Sequence, residues 1–194
     1  MPATGLYFGS FNPIHIGHLA IANYLLEYGG LNELWFVLSP QNPLKQKSTL
    51  LPDYQRFELV NRALRDFPRF KASNIEFGLP QPSYTSDTLA YLDEKFPYRK
   101  FVLIMGEDNL SSFEKWKNYE WILETRKILV YPRPGSNPSV FHQHPNVQLI
   151  QAPLIEISSS FIRKAIKQGK DVRFFLPEET WNYIDEMNFY KNKA

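Results

Sequence analysis

The most informative segment of the chain reads Gly9-Ser10-Phe11-Asn12-Pro13-Ile14-His15-Ile16-Gly17-His18. It follows an apolar run at 6–8, which predicts a strand, and leads into residues 17–28, whose apolar spacing predicts a helix. The start of a helix presents free backbone N–H groups and the positive end of the helix dipole, which favour an anionic ligand. His15 and His18 are three residues apart, so both imidazoles can face that ligand. Gly17 has no Cβ, so a nucleotide base can lie close to the backbone there.

The rest of the chain continues this alternation of strand and helix. Apolar runs predict further strands at 33–39, 70–77, 100–105, 128–131 and 147–150. Helical spacing and end signals predict helices at 53–67, 85–95 and 159–168, and a last one from Pro177. We therefore expect an α/β fold of the Rossmann-like, doubly wound type with a mostly parallel sheet. It should form a single domain over 1–194, with the last two helices (about 159–190) as its C-terminal part.

The composition of the chain argues against several classes of partner and of catalytic chemistry. The chain has 194 residues, a net charge of +2 and no cysteine. So small a charge gives no basic footprint for nucleic acid or a membrane, and the lack of cysteine excludes disulfides, thiolate metal sites and cysteine nucleophiles. We see no signal peptide and no apolar run near the roughly 20 residues that span a bilayer. We expect a cytoplasmic protein without nucleic-acid or membrane partners, and the sequence leaves open whether it is a homo-oligomer.

A second polar segment reads Ile157-Ser158-Ser159-Ser160-Phe161-Ile162-Arg163 and begins the helix predicted at 159–168. Its hydroxyls and the guanidinium of Arg163, one turn later, converge on one point. That arrangement suits a triphosphate and the charge that builds on a departing pyrophosphate. Alone, the segment would be an ordinary serine cap with an exposed arginine. Together with the histidine segment it favours a nucleotide site.

Three further segments carry polar or aromatic groups near the predicted ends of strands or starts of helices. They are Ser83-Tyr84-Thr85, Gly106-Glu107-Asp108, and Trp116 with Tyr119. A helix start after Thr85 can bind a carboxylate, and Asp108 can accept hydrogen bonds from ribose hydroxyls. The indole of Trp116 can stack on a flat ring. Asp108 can equally be a helix cap, and the two aromatics can equally belong to the core.

These segments together resemble a known family. His15-x-Gly17-His18 resembles the His-x-Gly-His signature of the nucleotidylyltransferase superfamily, and 157–163 resembles the ISSSxIR-type signature of pyridine-nucleotide adenylyltransferases. With 83–89, 106–108 and 113–119, the resemblance to the bacterial nicotinate mononucleotide adenylyltransferase family extends from residue 5 to residue 190. It implies direct attack of a substrate phosphate on the α-phosphate of ATP, with Mg²⁺ held by ATP phosphates and by no protein ligand.

The resemblance and the residues together give a candidate site. The predicted catalytic residues are His15, His18 and Arg163. The predicted ATP contacts are Gly9, Ser10, Phe11, Gly17, Lys45, Arg133, Ile157, Ser158 and Ser159. The predicted mononucleotide contacts are Ser83, Tyr84, Thr85, Gly106, Asp108, Trp116 and Tyr119. A solvated turn arginine is the alternative for Arg133.

The chain departs from the family pattern in two places. Where the family usually has Gly-Gly-Thr-Phe-Asp-Pro, Phe8 and Asn12 replace a glycine and the aspartate, while Ser10 keeps the hydroxyl. In the predicted mobile loop between prolines 40 and 52, Leu44 stands where the family often has histidine. Leu44 cannot make the phosphate contact that the resemblance assigns to that histidine, whereas Lys45 keeps a flexible positive charge that we expect to close over the triphosphate.

The sequence thus predicts an adenylyltransferase of NAD biosynthesis that condenses ATP with nicotinate mononucleotide, giving nicotinic acid adenine dinucleotide and pyrophosphate. The alternative acceptors are nicotinamide mononucleotide and phosphopantetheine. A non-catalytic nucleotide-binding module is the alternative from another class. Donors at the helix start near Thr85 favour the acid over the amide, and the presence of Arg163 argues against a non-catalytic module.

Overall fold

The computed structural model describes residues 1–40, 50–136 and 139–192. Six strands form one sheet in the order β3-β2-β1-β4-β5-β6, and every neighbouring pair is parallel. The strands are β1 (Ala3–Gly9), β2 (Glu33–Leu38), β3 (Phe70–Ser73), β4 (Lys100–Gly106), β5 (Ile128–Tyr131) and β6 (Val147–Leu149). This strand order confirms the prediction of a Rossmann-like, doubly wound fold.

Helices connect these strands. They are α1 (Ile16–Tyr28), α2 (Asp53–Leu64), α3 (Thr85–Lys95), α4 (Glu107–Leu110), α5 (Tyr119–Thr125), α6 (Ser159–Lys167) and α7 (Glu178–Glu186). The strand predicted at 70–77 ends early, because its second half forms a 3₁₀ turn at Ile75–Gly78. None of the helices in the described ranges is long and apolar enough to cross a bilayer.

The central strands are apolar on both sides because helices cover both faces of the sheet. One face packs with Ile21 and Leu25 of α1, and the other with Leu89 and Leu92 of α3. A third apolar cluster joins α6 and α7 to α2.

The order of the strands also locates a crevice. From β1 the chain moves outward through β2 to β3, then returns to β4 on the other side of β1. Ligands of open parallel sheets bind where the winding reverses in this way, beyond the carboxyl ends of the strands. Both the histidine segment after β1 and the Gly106–Asp108 segment after β4 are at this edge.

Candidate active site

A cleft of about 1050 Å³ opens at this edge of the sheet. It brings together most of the residues predicted for the site. Those that line it are Gly9, Ser10, Phe11, His15, Gly17, His18, Ser83, Tyr84, Thr85, Asp108, Trp116, Arg133, Ile157, Ser158, Ser159 and Arg163.

Three predicted residues are not among the lining residues. Gly106 is buried at the end of β4, where a Cβ would lie 2.4 Å from Asp108 Oδ1 and 3.0 Å from Arg133 Cγ, so it allows those two side chains to approach the strand. The ring of Tyr119 packs against two phenylalanines, with centroids 5.9 and 6.0 Å away. Lys45 lies outside the described residues, as does Leu44.

The two histidines lie against each other at the start of α1. Their rings are stacked, with centroids 3.7 Å apart and planes 28° apart. His18 Nδ1 accepts a hydrogen bond from the backbone N–H of His15 at 3.3 Å. A nitrogen that accepts carries no proton, so the proton of neutral His18 is on Nε2, which is a donor.

The surroundings of His15 favour its neutral form. Burial and, to a smaller extent, the positive charge of Arg133 together lower its pKa to about 4. Its Nδ1 is buried, and the backbone N–H of His18 faces the His15 side chain in a reciprocal capping box. A Cβ on Gly17 would lie only 3.0 Å from Nδ1, so the glycine leaves room for the His15 ring.

The two polar segments, far apart in the sequence, are hydrogen-bonded to each other. Arg163 Nη1 donates to the carbonyl of Asn12 at 2.7 Å, and Ser159 Oγ donates to the carbonyl of Pro13 at 2.9 Å. Arg163 Nη2 also lies 3.3 Å from Ser160 Oγ. The guanidinium is therefore held in a fixed position beside the loop that precedes α1. Ser158 caps α6, since its Oγ accepts from the N–H of Phe161.

The side chain of Asn12, where the family usually has aspartate, connects this loop to the end of the chain. Its Oδ1 accepts from the hydroxyl of Tyr190 at 2.8 Å and from the backbone N–H of Leu51 at 3.3 Å. Burial raises the pKa of Tyr190, so this hydroxyl remains a donor. Residues from three parts of the chain thus fix the loop that carries Ser10 and Phe11.

Arg56, which sequence reasoning missed, is fully buried beneath the same loop. Its guanidinium donates to the backbone carbonyls of Ser10, Ser39, Pro40 and Leu51 at 2.6 to 3.3 Å, and it forms an ion pair with Asp53. The sequence does carry a signal for it. Arg56 shares the apolar face of α2 with buried Leu59, Val60 and Ala63, and a charged residue on such a face needs buried partners.

A second missed residue, Glu76, lies beneath the segment predicted to bind the mononucleotide. Its carboxyl group lines the cleft yet is only 2% exposed. Oε1 accepts from Thr88 Oγ1 at 2.7 Å, and Oε2 accepts from Ser83 Oγ at 3.2 Å. The hydroxyl of Ser83 is therefore directed at Glu76. On the outer side, Lys117 Nζ lies 4.9 Å above the ring of Tyr84 and forms an ion pair with Asp87.

Burial raises the pKa of Glu76 above its usual value of 4.5, against the opposing effect of its hydrogen bonds. A raised carboxyl pKa in the folded state stabilises the protein below the unfolded pKa, and that stability is lost as the pH rises through the folded pKa. Glu76→Gln cannot titrate. Above about pH 4.5 we therefore expect the wild type to lose stability as the pH rises, while the variant does not. The free energy of unfolding of the variant relative to the wild type should rise by at most roughly 1.4 kcal/mol per pH unit.

Urea unfolding of both proteins between pH 4 and pH 8 measures this difference. Exposed Glu114, replaced by glutamine, is the matched control, and its difference from the wild type should be nearly constant. A constant difference for Glu76→Gln would contradict the argument.

Within the described ranges, no group of three or more His, Asp or Glu side chains could hold a metal ion. Asp108, at the mouth of the cleft, lies 3.8 Å from Arg133 Nε. The site as a whole offers hydrogen-bond donors and positive charge, which suits phosphate groups better than a bare cation.

The comparisons with known proteins agree with this chemistry. The cytidylyltransferase-like family model matches residues 6–165. A probable nicotinate-nucleotide adenylyltransferase from Flavobacterium psychrophilum is 56% identical over 96% of this chain and 98% of its own. A protein of the same name from Bacteroides thetaiotaomicron is 50% identical over 94% of this chain and 91% of its own.

A solved structure of Plasmodium falciparum nicotinic acid mononucleotide adenylyltransferase complexed with NaAD superimposes with a TM-score of 0.82. The alignment covers 98% of both chains at 19% identity, so this likeness bears on the fold alone.

Proposed function

Since the chain belongs to the cytidylyltransferase-like family and, within it, to the nicotinate-nucleotide adenylyltransferases, we propose how its own residues carry out that reaction. The enzyme transfers the adenylyl group of ATP to nicotinate mononucleotide and releases pyrophosphate, a step of NAD biosynthesis. The observation that carries the site assignment is the pair of hydrogen bonds from Arg163 and Ser159 to the loop before α1. These bonds hold together the two polar segments that we propose bind the phosphates, and both segments line one cleft.

In the proposed reaction, a phosphate oxygen of the mononucleotide attacks the α-phosphorus of ATP, and the bond from that phosphorus to the pyrophosphate oxygen breaks. The chain supplies position and charge rather than a nucleophile. His18 donates from Nε2 to a phosphate oxygen, and His15 binds beside it in its neutral form. Arg163 stabilises the negative charge that grows on the departing pyrophosphate.

ATP would lie along Gly9, Ser10, Phe11 and Gly17, with its phosphates towards the serines of α6. The mononucleotide would lie towards Ser83–Thr85 and Asp108. Trp116 lines the cleft on that side and is placed to stack on the pyridine ring, while Tyr119 is packed away from it. We give Gly106 a spacing role, because a side chain there would displace Asp108 and Arg133.

We also propose that Mg²⁺ enters with ATP and is held by the phosphate oxygens. The hydrogen-bond donors of the site would bind the phosphates, and the phosphates would hold the ion. This fits Mg²⁺, which in phosphoryl-transfer sites is bound largely by substrate phosphates and water. The ion would neutralise phosphate charge during the transfer. The cytoplasmic location and the assignment of 1–194 to one domain stay predictions; the packing of α6 and α7 on α2 supports the second.

A pyrophosphate-release assay tests the proposed function. The enzyme is given ATP and Mg²⁺ with nicotinate mononucleotide, with phosphopantetheine, or with no acceptor. We expect release with the mononucleotide and formation of an equal amount of dinucleotide. Release without dinucleotide would indicate ATP hydrolysis and contradict the proposal, and so would a preference for phosphopantetheine.

A further inference from the structure

Two tyrosine hydroxyls and an arginine form a chain at one wall of the cleft. Tyr7, in the middle of the sheet on β1, places its hydroxyl 3.3 Å from the hydroxyl of Tyr131, the last residue of β5. Arg133 Nη2 lies 3.3 Å from the same Tyr131 oxygen. Both tyrosines are 3% exposed, and both line the cleft. The reaction as proposed above uses neither.

The chemistry of the three groups determines the direction of these hydrogen bonds. An arginine can only donate, so the Tyr131 oxygen accepts from Arg133. The Tyr7 ring lies among the rings of Phe11, Phe36 and His18, with centroids 5.6 to 6.2 Å away, and burial raises its pKa, so it stays protonated. The hydroxyl of Tyr7 therefore donates its hydrogen bond to the Tyr131 oxygen. Two accepted hydrogen bonds fill both lone pairs of that oxygen and leave its own proton to donate elsewhere.

We propose that the hydroxyl of Tyr131 is a further substrate-binding group, which donates a hydrogen bond to a phosphate oxygen of bound ATP. Its surroundings favour a negative acceptor, because Arg133 and the Nε2–H of His18 are both donors on the same wall, and Asp108, 3.8 Å from Arg133 Nε, is the nearby carboxylate that offsets part of that positive charge. The guanidinium of Arg133 lies 5.2 Å from the Tyr131 ring, so its charge is close to that acceptor as well. The assignment to ATP rests on the proposed function, which places the ATP phosphates at the histidines.

We assign Tyr7 a different role in ATP binding. Although its ring lines the cleft, its hydroxyl donates to the Tyr131 oxygen and so leaves the Tyr131 proton to point into the cleft. Tyr7 is therefore a positioning residue, and its effect on binding depends entirely on the presence of the Tyr131 hydroxyl.

The test uses Tyr131→Phe, Tyr7→Phe and the double variant, each of which removes only hydroxyl groups. The dissociation constant of ATP is measured by calorimetry without acceptor, and kcat/KM is measured for both substrates. We expect Tyr131→Phe to weaken ATP binding about 10- to 100-fold, since a hydrogen bond to a charged group is lost. Tyr7→Phe should weaken it about 2- to 5-fold, and the double variant should match Tyr131→Phe.

Tyr183→Phe is the control, because its ring packs on Phe189 and under Arg62, away from the cleft. Unchanged ATP binding by Tyr131→Phe overturns the proposal, as does a loss confined to the mononucleotide. Equal effects of Tyr7→Phe with and without the Tyr131 hydroxyl would show that Tyr7 does not act through Tyr131, which overturns its positioning role. Because ATP binding is measured alone, these outcomes are independent of which acceptor the enzyme uses.

Discussion

Arg163→Ala is expected to lower kcat by on the order of 100-fold or more, measured at a temperature at which the variant is fully folded. The guanidinium is fixed by its bonds to the Asn12 carbonyl and to Ser160 Oγ, so it does not reorganise when charge develops on the pyrophosphate. Preorganised donors act mainly on the transition state, and their loss therefore lowers kcat rather than raising KM. His18→Ala should have an effect of the same order, since it removes the donor at Nε2.

Steady-state kinetics with saturating ATP and mononucleotide measure this effect. Arg173→Ala is the matched control, because this arginine is exposed and paired with Asp171 outside the cleft. Arg163→Lys keeps the charge but not the forked geometry and should recover only a small part of the activity. If Arg163→Ala or His18→Ala keeps full kcat and raises only KM, the replaced residue binds the ground state and the role we give it is wrong.

The sequence predicts most of the fold because the relevant signals are local. Apolar runs, glycines and serines marked the strands and the helix starts, and the order of strand and helix implies a parallel sheet. The edge at which the site lies follows from the same pattern, since it is where the first strand gives way to the first helix.

What the sequence did not predict depends on contacts between distant residues. Arg56 donates hydrogen bonds to backbone carbonyls up to 46 positions away, and the residues around it in the sequence do not identify those acceptors. Glu76 fell within a stretch predicted as a strand, whereas the chain forms a 3₁₀ turn there, and its partners Ser83 and Thr88 lie 7 and 12 positions further on. For Tyr119 the sequence left two alternatives, a ligand contact or a place in the core, and its ring packs against Phe113 and Phe141.

Substrate choice is the second large effect we expect: kcat/KM should be about 10- to 100-fold higher for nicotinate mononucleotide than for nicotinamide mononucleotide. The backbone N–H groups of Asp87 and Thr88 donate to the carbonyl of Tyr84. The N–H groups of Thr85 and Ser86 come earlier, at the start of α3, where the helix offers them no carbonyl one turn back. These donors, with the positive end of the helix dipole, favour a carboxylate. A carboxamide would place its own NH₂ donors against them, at a cost of roughly 1 to 3 kcal/mol.

The side chains around this helix start are already paired with one another. The ammonium group of Lys117 lies above the Tyr84 ring and is paired with Asp87, so this pair adds no net charge. The carboxyl of Glu76 accepts hydrogen bonds from Ser83 and Thr88, so the Ser83 hydroxyl is directed at Glu76. We therefore propose Thr85 rather than Ser83 as the side-chain donor to the nicotinate carboxylate.

Thr85→Val tests this assignment because it removes one hydroxyl and keeps the shape of the side chain. We expect it to lower kcat/KM for the acid more than for the amide, and to leave KM for ATP unchanged, since the phosphate-binding segments are untouched. Thr85→Ser keeps the hydroxyl and is the control that should retain the preference. The measurement is kcat/KM for both mononucleotides with the wild type and both variants. Equal use of the two by the wild type would show that the helix start does not recognise the carboxylate, even though adenylyl transfer itself would stand.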